Sequence, residues 1–121
     1  MIKATCLLAA LLLTGCAVTP SEMRDAKPYA TFVSNKSADT LSRCIANNME
    51  THSYAGLSTQ INFRPIENGI SIASQGNFEL IDIKSSKHTT DIRFYSATTH
   101  TWVGGNQGRL DNTVNDIQTC L

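Results

Sequence analysis

Apolar and polar positions along this chain repeat with two different periods, and the change of period marks the elements. Between residues 38 and 50, Leu41, Cys44, Ile45, Asn48 and Met49 fall at i, i+3, i+4, i+7 and i+8, one face of a helix. Ser34 or Ser37 supplies a hydroxyl N-cap for it, and residues 29–33 form a short extended segment ahead of it. The period then drops to two: Gln60-Ile61-Asn62-Phe63-Arg64 and Ile70-Ser71-Ile72-Ala73 flank Glu67-Asn68-Gly69. Asn-Gly is the strongest short hairpin signal, and a two-residue Asn68-Gly69 loop pairs Glu67 with Ile70, Pro65 with Ile72 and Phe63 with Ser74.

Two more strands are predicted over residues 78–83 and 91–97, joined by a polar loop over 84–90. In the first, Phe78 and Leu80 take one parity and Ile81 and Ile83 the other, which predicts a bulge or a strand buried on both faces. In the second, Ile92 and Phe94 point one way and Arg93 and Tyr95 the other. After the glycine-rich turn Gly104-Gly105-Asn106-Gln107-Gly108, Leu110, Val114, Ile117 and Leu121 repeat at helical spacing. Helix, four strands and helix predict an α+β fold: an antiparallel sheet with the N-terminal and C-terminal helices packed on one face.

The chain begins differently. Met1-Ile2-Lys3 precedes an apolar run over residues 4–13, about half of the roughly 20 residues a membrane-spanning helix needs. That is the pattern of a processed export signal. Leu13-Thr14-Gly15-Cys16 resembles the lipobox of bacterial lipoproteins, a large aliphatic residue and two small ones before a cysteine. The resemblance implies cleavage before Cys16, acylation of its thiol and membrane anchoring by several chains, since one chain alone anchors marginally. In that class an aspartate after the cysteine resembles an inner-membrane retention signal; Ala17 stands here, which favours the outer membrane with the domain facing the periplasm. Beyond the lipobox, the mature part looks similar to small proteobacterial envelope lipoproteins, a likeness that implies no activity. The organisation expected is a signal peptide at 1–15, a lipidated N-terminus and flexible tether at 16–30 and a single domain at 31–121. Pro20 and Pro28 and the lack of an apolar period make 17–30 read as tether.

The chain holds four cysteines. Cys6 leaves with the signal and Cys16 takes lipid, so Cys44 and Cys120 are expected to pair in an oxidising compartment, tying the two helices together. No CxxC or HxxxH spacing accompanies them, so no metal or other cofactor is expected. A formal net charge of +0 gives no ground for nucleic-acid binding.

Candidate chemistry is thin. His52, His88 and His100 are all placed in or beside loops, and Asp82, Asp91 and Ser85 could form a triad with His88, but no G-x-S-x-G elbow accompanies them. The glycine-rich turn before the last helix could cradle an anion with Arg109 nearby, yet it lacks the Lys-Ser/Thr of a phosphate loop. Trp102, with His100 and Tyr95 near it in sequence, is the candidate partner contact. The expected function is non-enzymatic: a lipid-anchored envelope protein with a binding or structural role toward another envelope protein or a cell-wall component. The rival classes are a small periplasmic inhibitor of an envelope-targeting enzyme such as lysozyme, whose Ser-Gly-rich loop has no match here, and a hydrolase.

Overall fold

A computed structural model of the chain describes residues 18–97 and 106–121. Along the chain these form helix α1 (Pro20–Asp25), strand β1 (Ala30–Ser34), helix α2 (Ala38–Met49) and strands β2 (Ser53–Tyr54), β3 (Leu57–Ser58), β4 (Ile61–Ile66), β5 (Gly69–Ser74), β6 (Glu79–Ser85) and β7 (Thr90–Ser96), then helix α3 (Asn106–Gln118). Five strands make one antiparallel sheet in the order β1-β7-β6-β5-β4, and β2 and β3 pair as a separate small hairpin. The fold is α+β, as the change of period predicts. The signal segment and Cys16 lie outside the described residues.

The main core lies between the sheet and α2 with α3. Leu41, Ile45 and Met49 of α2 and Leu110 and Ile117 of α3 close over Ile72, Ile81, Ile83, Ile92 and Phe94. Ser37 caps α2 by accepting from the Thr40 amide at 3.1 Å, while Ser34 donates to the Leu121 carbonyl instead. The bridge between Cys44 and Cys120 is formed, and it joins the middle of α2 to the residues just beyond α3.

Three expectations are corrected, and of the two readings offered for β6 one is found. The sheet has five strands, because residues 30–34 pair along their whole length with β7, from Ala30 opposite Phe94 to Ser34 opposite Thr90. The expected tether contains a third helix, and it sits on the face of the sheet opposite α2 and α3. Thr19 caps that helix, Pro20 occupies its first turn where no amide hydrogen is needed, and Met23 buries against Leu80 and Tyr95. The proline that reads as a breaker is a helix start. Because α1 covers this second face, the mixed parity in β6 is that of a strand buried on both sides, with Glu79 through Ile83 all out of solvent. Finally, α3 begins at Asn106, so Gln107 and Gly108 belong to its first turn and not to a loop.

The β4–β5 hairpin is real but its register is two residues from the expected one: Ile66 pairs with Gly69, Pro65 with Ile70 and Phe63 with Ile72. Asn68 takes the positive φ of the turn, at 61°, and Gly69 is the first strand residue. Glycine is needed there for another reason. A Cβ at Gly69 would overlap the Ile83 carbonyl of β6, so the close approach of a third strand consumes the glycine that the turn signal claims. A shift of two keeps every side chain on its expected face.

The bridge closes a loop of 76 residues, which in the chain-entropy account removes about 4 kcal/mol of denatured-state freedom. The double variant Cys44→Ala/Cys120→Ala is expected to lose stability on that order in urea denaturation. Reductant is expected to destabilise the wild type and leave the double variant unchanged.

Candidate functional site

Along α3 the residues Arg109, Asn112, Thr113 and Asp116 share one face by their i, i+3, i+4, i+7 spacing, and this polar stripe lies under the β2–β3 hairpin. The hairpin turns through Ala55 and Gly56, both at positive φ, and carries Tyr54 onto the stripe. The Tyr54 hydroxyl receives a hydrogen bond from Asn112 Nδ2 at 3.4 Å, and His52 Nε2 lies 3.0 Å from Asp116 Oδ1.

Arg109 is the centre of the arrangement. Its Nε and Nη2 each donate to Glu79 at 2.7 Å, a bidentate pair with a carboxylate only 2% exposed. The guanidinium carbon also stacks 4.1 Å from the Tyr54 ring centroid and 4.7 Å from that of Phe78. Two rings, one from β2 and one from the turn before β6, therefore lie against the cation, and the carboxylate fixes its plane.

Beside these rings opens a groove of about 570 Å³, within the size range of small-ligand sites. Tyr54, Leu57, Gln60, Gln75, Phe78 and Arg109 contribute to its lining. Leu57 is 74% exposed and Phe78 44%, so the groove has apolar lips; amides and hydroxyls, including Ser58, Thr59 and Ser74, complete it. Arg109 is the charged member of this lining, and its charge is already answered by Glu79.

A second carboxylate clamp sits on the opposite face of the sheet. Arg24 of α1 donates to Asp82 through Nε at 2.7 Å and Nη2 at 3.0 Å, and Nη2 also reaches Ser71 at 3.1 Å. Burial pushes the Asp82 carboxyl up, but the hydrogen bonds from Arg24 and Ser71 and the Arg24 charge outweigh it, leaving it below its ordinary value. Asp116 goes the other way: burial raises it, and His52 offsets only part of that.

Of the residues singled out in the sequence, His88 lies exposed in the β6–β7 hairpin with Ser85, while Asp82 is held by Arg24 beneath α1. The candidate triad is not assembled. Arg109 turns to Glu79 and not toward an anion, and Gly104 and Gly105 lie outside the described residues, as do His100 and Trp102. Tyr95 is described and is 6% exposed, packed against Met23 and Leu80, so its ring offers a partner little surface. Among the described residues no group of three or more His, Cys, Asp or Glu is placed to hold a metal, and no helix is long and apolar enough to cross a membrane. The sequence reading missed the β2–β3 hairpin because its strands are two residues each, too short for any period. Ala55-Gly56 between Tyr54 and Leu57 was the available signal. Compared with family models, curated proteins and solved structures, the chain matches none.

Removing the guanidinium strands a buried carboxylate, so Arg109→Ala is expected to lose about 3 kcal/mol in urea denaturation. Arg109→Lys is expected to recover only part of that, because an ammonium neither forms the two parallel bonds nor stacks as a plane.

The two aspartates have opposite linkage. Asp82 contributes stability present above the ordinary carboxylate pKa and lost as pH falls through its lowered value; Asp116 contributes stability present below the ordinary value and lost as pH rises through its raised one. Denaturation between about pH 2 and 7 is expected to show that Asp82→Asn removes a fall on the acid side. Asp116→Asn is expected to remove a decline above the ordinary carboxylate range.

Proposed function

We propose that this chain is an envelope lipoprotein, exported, cut before Cys16 and held by lipid on that cysteine, whose folded domain acts by binding and not by turnover. The lipobox and the apolar run before it support the anchor. The pairing of Cys44 with Cys120 is in keeping with an oxidising compartment, where such bridges persist.

The observation that carries the binding role is the groove beside Arg109. Its apolar lips and uncharged amides and hydroxyls suit a neutral segment of another envelope component, and the clamp on Glu79 leaves the guanidinium rigid. A rigid lining lowers the ordering that binding requires. The groove lacks the paired acid and base that hydrolysis needs: His52 is turned to Asp116 behind Tyr54, and His88 is on another end of the sheet.

Two measurements test this. Intact mass of the protein taken from its native membrane is expected to match residues 16–121 plus acyl groups, with one hydrogen gained per bridged sulfur on reduction; an uncleaved, unlipidated chain would overturn the anchor. A photo-crosslinking residue at Leu57 or Gln75 is expected to give discrete adducts in cells, while one at Asn47 on the far side of α2 gives none. Equal labelling from all three positions would dismiss the groove as the binding surface.

A further inference from the structure

Among the described residues the sheet has two outer strands, β1 and β4, and β4 runs straight out of the groove. It pairs with β5 on its inner side only, and Gln60, the residue just ahead of it, lines the groove together with Gln75 opposite. The Gln75 amide donates to the Gln60 carbonyl at 2.8 Å, which sets the phase of the ladder. Gln60, Asn62, Arg64 and Ile66 turn their backbone groups toward β5, so Ile61, Phe63 and Pro65 turn theirs outward. Pro65 fits that phase, because the amide hydrogen it lacks is one that β5 does not need.

The side chains follow the same alternation. Ile61, Phe63 and Pro65 lie on the side of Ile70 and Ile72, but the helices that close over Ile72 leave Phe63 52% exposed and Pro65 exposed beside it. On the other side of the strand Asn62 and Arg64 are exposed. At the end of β4 the groove offers Leu57 and Phe78 as further exposed apolar contacts. An edge of unpaired backbone groups with one apolar and one polar flank is complementary to one kind of ligand, an extended polypeptide whose apolar and polar residues alternate.

We propose, resting on the reading of the groove as a binding site, that its ligand is an extended segment of another polypeptide that adds to the sheet as a further strand, antiparallel along β4. Residues opposite Ile61 and Phe63 exchange both backbone bonds, whereas Pro65 only accepts, so pairing is strongest at the groove end of the strand. Apolar side chains of the segment rest on Phe63, and its chain runs on past Ile61 into the groove, against Leu57 and Phe78. A second copy of this chain suits the site less. Paired antiparallel on the same edge, it would bring its Glu67-Asn68 turn to the groove, where the chain doubles back to β5 instead of running on.

The test selects random peptides, displayed on phage and long enough to span β4 and the groove, on the protein purified from its native membrane into detergent micelles. Phe63→Pro deletes an outward amide hydrogen and leaves the ladder to β5 intact, as Pro65 does, while Phe63→Val keeps that hydrogen and gives up the ring. The selected peptides are expected to bind Phe63→Pro about tenfold more weakly than Phe63→Val, the effect of one lost backbone bond whose partner is left unmet. N-methylation along the peptide is expected to abolish binding at every second residue and to spare those between. That series uses the wild type and decides the matter if Phe63→Pro does not fold. Equal affinity for the two folded variants, methylation sensitivity without the alternation, or no peptide selected overturns strand addition, and the groove reading then stands or falls separately on the adducts from Leu57 and Gln75. A dimer seen by sedimentation and dissolved by Phe63→Pro also overturns it, by assigning the edge to a second copy.

Discussion

The middle strand of the sheet carries two buried carboxylates, and each is answered by one arginine from a helix on a different face. Glu79 meets Arg109 of α3 and Asp82 meets Arg24 of α1, both by two parallel hydrogen bonds. An ionised carboxylate left alone at these depths would be strongly destabilising, so the positions of α1 and α3 are constrained to where a guanidinium can reach β6. The apolar core sets how tightly the layers pack, while these two clamps set where along the sheet the helices rest.

Much of the remaining structure hangs from this pair of contacts. With Arg109 held on Glu79, the ring of Tyr54 closes over its plane, and the β2–β3 hairpin acquires a floor that four strand residues could not provide for themselves. The groove is a by-product of that closure. With Arg24 held on Asp82, the segment from Val18 through α1 becomes part of the domain. The bridge between Cys44 and Cys120 then ties α2 to the far end of α3, so that both ends of α3 are fixed, one by charge and one by covalent linkage.

Where the sequence could be read, local chemistry was decisive. The face of α2 follows from Leu41, Cys44, Ile45 and Met49 alone, and the alternation of Ile92 and Phe94 with Arg93 in β7 survives because a period of two is a property of the strand itself, whereas in the edge strand β4 Phe63 stays 52% exposed. Three features resisted reading for physical reasons. Residues 20–25 hold one apolar anchor, Met23, too little for a periodic signal, and their docking depends on Asp82 almost sixty positions away. The hairpin register turned on which of two demands took Gly69, and the demand came from β6. The cluster around Arg109 joins it to Tyr54 and to the adjacent Phe78 and Glu79, three parts of the chain that say nothing of one another.

By itself the sequence determined the class of fold, the faces of its main helices and strands, the pairing of its last two cysteines and an expectation of export with a lipid anchor. These rest on periodicity, on counting and on a short contiguous pattern, all of which are local. The tertiary structure alone decided that a fifth strand closes the sheet edge, that the presumed tether folds back as α1, and that a groove forms beside Arg109. The first depends on backbone pairing with β7 and the other two on a guanidinium meeting a buried carboxylate, in each case between distant parts of the chain, and the free energy of such a meeting exists only once the fold has brought the two together.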